Sequence, residues 1–207
     1  ADQAAMLVTP EIRREYMRDG VTVVRNAVNR RWIEALREGC EEAQDNIGPF
    51  GEYLHKPTDD GIFFTDLELA RRLPVFSAFS QYGPCGAVAG AAMGSSSVRY
   101  LYDQLFVKEA GVSTSTPWHQ DGGYWRIKGK QVGSVFVPLD SVAMGEGLDF
   151  VVGSQHWSLH NPQHFADGTQ YTGTSLPPMP SIDDMVKEGT VELKTFSLEP
   201  GDLLIFS

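Results

Sequence analysis

The hydrophobic period of this chain changes near Val98, and that change limits the folds open to it. Before Val98 apolar residues recur at helical spacing. After it they fall in short runs separated by turns carrying Gly, Pro or Asp. The first helix is marked by Thr9 as N-cap, Pro10 at its first position, Ile12 and Tyr16 on one face and Gly20 as its stop. VTVVR (21–25) reads as a short β-branched strand. Asn29 then caps a longer helix, in which Ile33, Leu36, Cys40 and Ala43 lie opposite Glu34, Arg37, Glu38 and Glu41. The stretch 46–66, rich in Gly, Pro and Asp, reads as a loop. A short helix is expected over 66–72, before Pro74, and a Gly/Ala-rich one between Pro84 and Met93. Strands are expected at 98–108, 132–139, 148–153, 191–196 and 202–206. Helices first and strands after predict helices packed on one face of an antiparallel β-sandwich or barrel.

A chain of 207 residues suits one well-buried domain. SLPPMPSIDD (175–184) is a loop rather than a linker, because strand-like segments resume after it. The formal net charge of −10 disfavours nucleic acid and anionic membranes and favours a small-molecule partner. Cys40 and Cys85 lack Cys-x-x-Cys spacing and read as reduced thiols. No signal peptide is visible at the N-terminus, and GAVAGAAMG (86–94) is too short to span a bilayer. The expectation is a soluble, cytoplasmic protein; composition says nothing of its oligomeric state.

The chemistry concentrates in TPWHQDGGYW (116–125). On a strand His119 and Asp121 point the same way and Gln120 the other. An imidazole nitrogen and a carboxylate oxygen so placed can both reach one metal ion. Two histidines and a carboxylate on one face of an octahedron, with three positions open, make the usual site of non-heme Fe(II) oxygenases. A bare His-x-Asp also occurs on surfaces and in simple hydrogen-bonded pairs. Trp118, Tyr124 and Trp125 read as pocket walls, since none titrates near neutral pH. Before this motif, Leu101, Asp103, Leu105 and Val107 share one strand face, and Tyr102, Gln104, Phe106 and Lys108 the other, which has the mixed character of a ligand cavity.

W-H-Q-D-G-G-Y-W resembles the iron-binding segment of the phytanoyl-CoA dioxygenase (PhyH) family of Fe(II)/2-oxoglutarate-dependent oxygenases. EIRREYMRDGVTVVRNAVNRRWIEALRE (11–38) is similar to the family's opening helix, strand and helix. YDQLFVKE (102–109) resembles the strand before the iron motif, GLDFVVGSQHW (147–157) the family's G-S-x-H region, and LEPGDLLIFS (198–207) its late strand. The resemblance implies a double-stranded β-helix (a jelly-roll, cupin-like) with N-terminal helices on one sheet. It makes His119 and Asp121 the catalytic iron ligands and Gln104 and Phe136 contacts of the co-substrate 2-oxoglutarate. The implied reaction consumes O2, releases succinate and CO2, and hydroxylates or otherwise oxidises a small organic molecule. Asp121 argues against halogenation, because a halide needs the coordination position this carboxylate takes.

The family pattern also requires a second histidine and an arginine just after the GDLLIF strand, beyond Ser207, so the domain is expected to lack its C-terminal part here. His156, His160 and His164 have helical spacing, but Pro162 falls among them and makes a shared helical face an unfavourable reading. His55, in the 46–66 loop, is a weaker candidate still. Two readings from other classes remain beside the oxygenase. One is a non-catalytic jelly-roll that binds a small molecule or metal; the other is a cupin-like metal-dependent isomerase or hydrolase. The irregular stretches 46–66 and 158–187 are the candidates for a substrate lid.

Overall fold

The computed structural model describes residues 2–55, 61–109, 111–112, 116–125, 127, 129, 131–165 and 168–207. After a short turn of helix, α1 (Asp2–Ala5), the Thr9 hydroxyl accepts from the Ile12 amide and starts α2 (Pro10–Asp19). Gly20 ends it at φ +80°, a conformation glycine adopts without strain. The chain turns directly into β1 (Val21–Val24) and then α3 (Arg30–Asp45), capped by the Asn29 side chain at the Trp32 amide. These three elements follow the sequence reading closely.

The stretch 46–66 departs from it. It holds β2 (Glu52–His55) and β3 (Phe63–Leu67), which pair antiparallel, so His55 ends a strand rather than lying in a loop. The Gly and Asp residues that suggested a loop serve a buried carboxylate. Asp66 is fully buried, accepts from the Gly48 and Leu67 amides and pairs with Arg72. A Cβ at Gly51 would lie 3.2 Å from that carboxylate, so the turn closes around it only without a side chain there. Asp66 and Leu67 are therefore strand, and the helix expected over 66–72 shrinks to one 3-10 turn at Leu69–Arg71.

Two further helices follow, α4 (Pro74–Tyr82), which the sequence reading did not include, and α5 (Cys85–Met93). From β4 (Gln104–Lys108) onward the described regular structure is β5 (Ser134–Phe136), β6 (Phe150–Val151), β7 (Leu193–Lys194) and β8 (Leu203–Phe206), with α6 (Ile182–Lys187) and 3-10 turns between. The expected strand 98–108 is regular only from Gln104. Val98, Tyr100 and Leu101 are exposed and pair with nothing among the described strands.

The described strands form three antiparallel sheets, ordered β1-β8-β5, β2-β3-β4 and β6-β7. In the first, Val24, Leu203, Ile205 and Val135 face one way and pack on Tyr16, Ile33, Leu36, Phe79 and Val88 of the helices. Its other face carries Val21, Val23, Leu204 and, less buried, Phe136 and Phe206, against Phe150, Phe196 and Leu198. A third cluster joins Cys40 and Ala43 of α3 to Phe64, Leu69, Leu73 and Leu105. Helices thus cover one face of an antiparallel sheet, as expected. Among the described residues no helix is long and apolar enough to cross a membrane.

Candidate metal centre

His119 and Asp121 meet. His119 Nε2 lies 3.3 Å from Asp121 Oδ1. The segment is not a paired strand, as the sequence reading had it. Gln120 is extended (φ −113°, ψ 127°), and Asp121 opens a 3-10 turn, Asp121–Gly123. One extended residue between them suffices to send the two side chains to the same side. Gly123 lets the turn lie against the following segment, since a Cβ there would sit 3.2 Å from the His160 carbonyl oxygen.

The outer ring nitrogen of His119 fixes what the inner one can do. Nδ1 is 2.8 Å from the Pro117 carbonyl oxygen, which can only accept, so Nδ1 carries hydrogen. In the neutral ring Nε2 then holds a lone pair directed at a carboxylate oxygen. Two lone-pair donors facing each other need a proton or a cation between them. Without a cation the proton is favoured: burial pushes the imidazole pKa down, but the hydrogen bonds to Asp121 and Pro117 and the Asp121 charge outweigh it and raise it. A metal ion would take the proton's place, with the Nδ1–carbonyl bond orienting the ring as metal-binding histidines commonly are oriented. The donor set therefore fits a divalent ion such as Fe(II). The far oxygen of Asp121, Oδ2, accepts from Ser134 Oγ at 2.6 Å.

Gln120 points away and grips the segment that follows. Its Oε1 accepts from the His160 amide at 2.9 Å, and its Nε2 donates to the Ser158 carbonyl at 3.4 Å. The Tyr124 hydroxyl, pushed up to about 12 by burial and so neutral, donates to the Gln163 carbonyl at 2.5 Å. Asn161 ties the same segment internally, donating to the Tyr171 carbonyl and accepting from Thr174 Oγ1. These bonds lay Phe165 across the site, with ring centroids 4.9 Å from His119, 5.5 Å from Tyr124 and 6.5 Å from Phe106. Trp118 Nε1 donates to Asp183 Oδ1 in the first turn of α6, and Trp125 Nε1 donates to the Tyr102 hydroxyl.

Gln104 lies on the β4 face that carries Phe106, and its Nε2 donates to Thr65 Oγ1 at 3.1 Å. Phe106 and Phe165 connect that face to His119. Phe136 lies on the same β5 face as Ser134, half-buried in the cluster of Val21, Val23 and Leu204. Of the four candidate residues, His119 and Asp121 meet directly; Phe136 shares a strand face with Ser134, which bonds Asp121, and Gln104 shares one with Phe106, whose ring neighbours Phe165 beside His119. Ser134, Gln120 and Phe165 were not singled out from the sequence. Strand alternation, which sets Ser134 on the β5 face of Phe136, is the signal that could have found the first of them.

The other described histidine side chains are engaged elsewhere. His164 stacks on Tyr171 (centroids 4.1 Å apart, planes 11° apart), His160 lies against Gln120, and His156 Nε2 is 3.2 Å from Gln155 Nε2. Among the described residues no three His, Cys, Asp or Glu side chains converge on one point.

By sequence the chain finds no match among curated proteins. Solved structures with the same fold include the non-heme alpha ketoglutarate dependent carbocyclase SnoK from nogalamycin biosynthesis, with TM-score 0.74 and 16% identity over 98% of this chain and 75% of that one. The epimerase SnoN, solved with Fe3+, alpha ketoglutarate and nogalamycin RO, has TM-score 0.61 and 15% identity over 100% of this chain and 75% of that one. AviO1 from Streptomyces viridochromogenes Tue57 has TM-score 0.68 and 17% identity over 95% of this chain and 82% of that one. The model of the phytanoyl-CoA dioxygenase (PhyH) family matches residues 16–207, and the chain belongs to that family.

Proposed function

We propose that this protein is a non-heme Fe(II)- and 2-oxoglutarate-dependent oxygenase that oxidises a small, ring-bearing organic molecule, with one catalytic domain built on a double-stranded β-helix. The observation that carries the reading is the pairing of His119 Nε2 with Asp121 Oδ1, while Nδ1 is committed to the Pro117 carbonyl. Family membership and the iron and alpha ketoglutarate named for SnoN support it.

In this reading iron, 2-oxoglutarate and O2 together supply an oxidant for C–H bonds, with succinate and CO2 released. His119 and Asp121 hold the ion. Gln104 donates to a 2-oxoglutarate oxygen in place of its bond to Thr65, and Phe136 packs against the co-substrate's carbon chain. Phe165, Tyr124 and Phe106 form the wall that keeps water from the metal and receives an apolar ring of the substrate. Hydroxylation is the default outcome.

In the family pattern a histidine and an arginine complete the centre after the strand that β8 resembles; here Phe206 of β8 lies opposite Ser134, which holds Asp121, so β8 runs beside the centre. The test is succinate release from 2-oxoglutarate by the full-length protein, with and without Fe(II). Release that requires both iron and O2 is expected; none under any condition with a metal-loaded, folded protein would overturn the assignment.

A further inference from the structure

Resting on that reading of the centre, we propose that Ser134 is a positioning residue: its hydroxyl fixes the Asp121 carboxylate so that Oδ1 alone is presented to the metal. The 2.6 Å contact from Ser134 Oγ to Oδ2 is in the range of a charge-assisted hydrogen bond. With Oδ2 bound on that side, Oδ1 is the oxygen that turns to His119 Nε2.

The two partners differ in rigidity. Asp121 opens a single 3-10 turn, is followed by two glycines, and its side chain is 30% exposed. That turn belongs to none of the paired strands described. Ser134 comes from β5, locked to the central strand β8 by the pairing of Ser134 with Phe206 and Val135 with Ile205. The adjacent Gly133 tightens this further, because a Cβ there would fall 2.5 Å from the Phe206 carbonyl oxygen. The hydroxyl is therefore delivered by the sheet, and the sheet sets the carboxylate. A freed Asp121 could bind the ion through both oxygens, occupying one of the positions that a chelating co-substrate and O2 need.

Valine and threonine are nearly the same shape, both suit a strand, and only threonine keeps the hydroxyl. The experiment therefore compares Ser134→Thr with Ser134→Val in the full-length protein, titrated with Co(II) by calorimetry and by its d–d absorption. Ser134→Thr should stay within about threefold of the unaltered protein and keep its spectrum. Ser134→Val should bind about 10–100-fold more weakly, the usual cost of removing an outer-shell partner, with altered d–d intensity. Ser134→Ala, which adds no bulk, should match Ser134→Val and replaces it if the valine variant does not fold. Equal affinities and spectra for the threonine and hydroxyl-free variants would overturn the proposal. Asp121→Ala separates the two levels. If it abolishes Co(II) binding while those variants agree with one another, only the role of Ser134 fails. If it leaves binding unchanged, the reading of the centre fails with it.

Discussion

The two faces of the sheet β1-β8-β5 are made by the same backbone, one residue out of phase. The helix side carries Val24, Val135, Leu203 and Ile205, with both β8 residues fully buried. The opposite side carries Val21, Val23, Leu204, Phe136 and Phe206, and in this apolar setting one hydroxyl, Ser134, which reaches Asp121. The first face is a packing surface. The second is also the floor on which the candidate centre is built. Alternation along a strand is enough to separate stability from chemistry by a single position.

That division predicts opposite consequences for neighbouring substitutions. The largest effect should come from the chemical side. Asp121→Ala should abolish tight Fe(II) binding and lower succinate release by on the order of a hundredfold or more, because a two-donor pair becomes one. The thermal transition should stay near that of the unaltered protein, since Asp121 is partly exposed and packs in neither face of the sheet. Unchanged succinate release by this variant would remove the assignment.

On the other face the pattern should invert. Ile205 is fully buried against the helices, so Ile205→Ala should cost about 2–5 kcal/mol of stability by leaving a cavity. Denaturant titration measures this directly. Co(II) affinity of the folded variant should stay within about threefold. If affinity instead falls in step with stability, the two faces are not separable.

The packing face also has one ionic margin, and it should respond to acid. Lys194 of β7 reaches Glu15 at 2.5 Å and Asp19 at 2.6 Å of α2, and the Thr22 hydroxyl donates to Glu15. The Arg18 hydrogen bond holds the Asp19 carboxyl down at about 2, against burial and with help from Lys194. A carboxyl whose pKa is lowered by folding stabilises the fold above its unfolded value of about 3.9, and that contribution is lost as pH falls toward 2. Lys194→Met should therefore lower stability at neutral pH by about 1–3 kcal/mol and flatten the decline between pH 4 and 2. An equally steep acid decline in the variant would show that Lys194 does not contribute to it.

The packing face was much the more legible in the sequence. Thr9, Gly20 and Asn29 mark helix ends through local chemistry, and the periods of α3 and β8 require only their own residues. What escaped depends on partners distant in sequence. The 46–66 stretch reads as a loop until the buried carboxylate of Asp66 explains its glycines. Val98, Tyr100 and Leu101 have strand composition but no partner strand among the described residues, and propensity alone does not pair them. At the centre, the likeness of WHQDGGYW to an iron-binding segment drew attention to His119 and Asp121. Alternation placed Ser134 beside Phe136 but could not reveal which carboxylate would lie within reach of it.

The smallest predicted effects concern the remaining histidines, and they sharpen the boundary of the chemical face. His160 and His164 lie in the segment that lays Phe165 over His119, so they are close to the centre in the chain's path without belonging to it. His160 is held through Gln120, whose carbonyl oxygen also takes the His160 amide. That amide bond survives replacement of the side chain. His164 stacks flat on Tyr171, a contact that supports the segment rather than the ion. Either histidine changed to Ala should thus leave Co(II) affinity within about threefold, a cost below ~1 kcal/mol. His164→Ala should be the more disruptive of the two for the segment itself, seen as faster amide exchange around Gln163 and Tyr171, where loss of the ring removes the stacked partner. A hundredfold loss of metal affinity at either position would move the third ligand into this segment and extend the chemical face beyond the sheet.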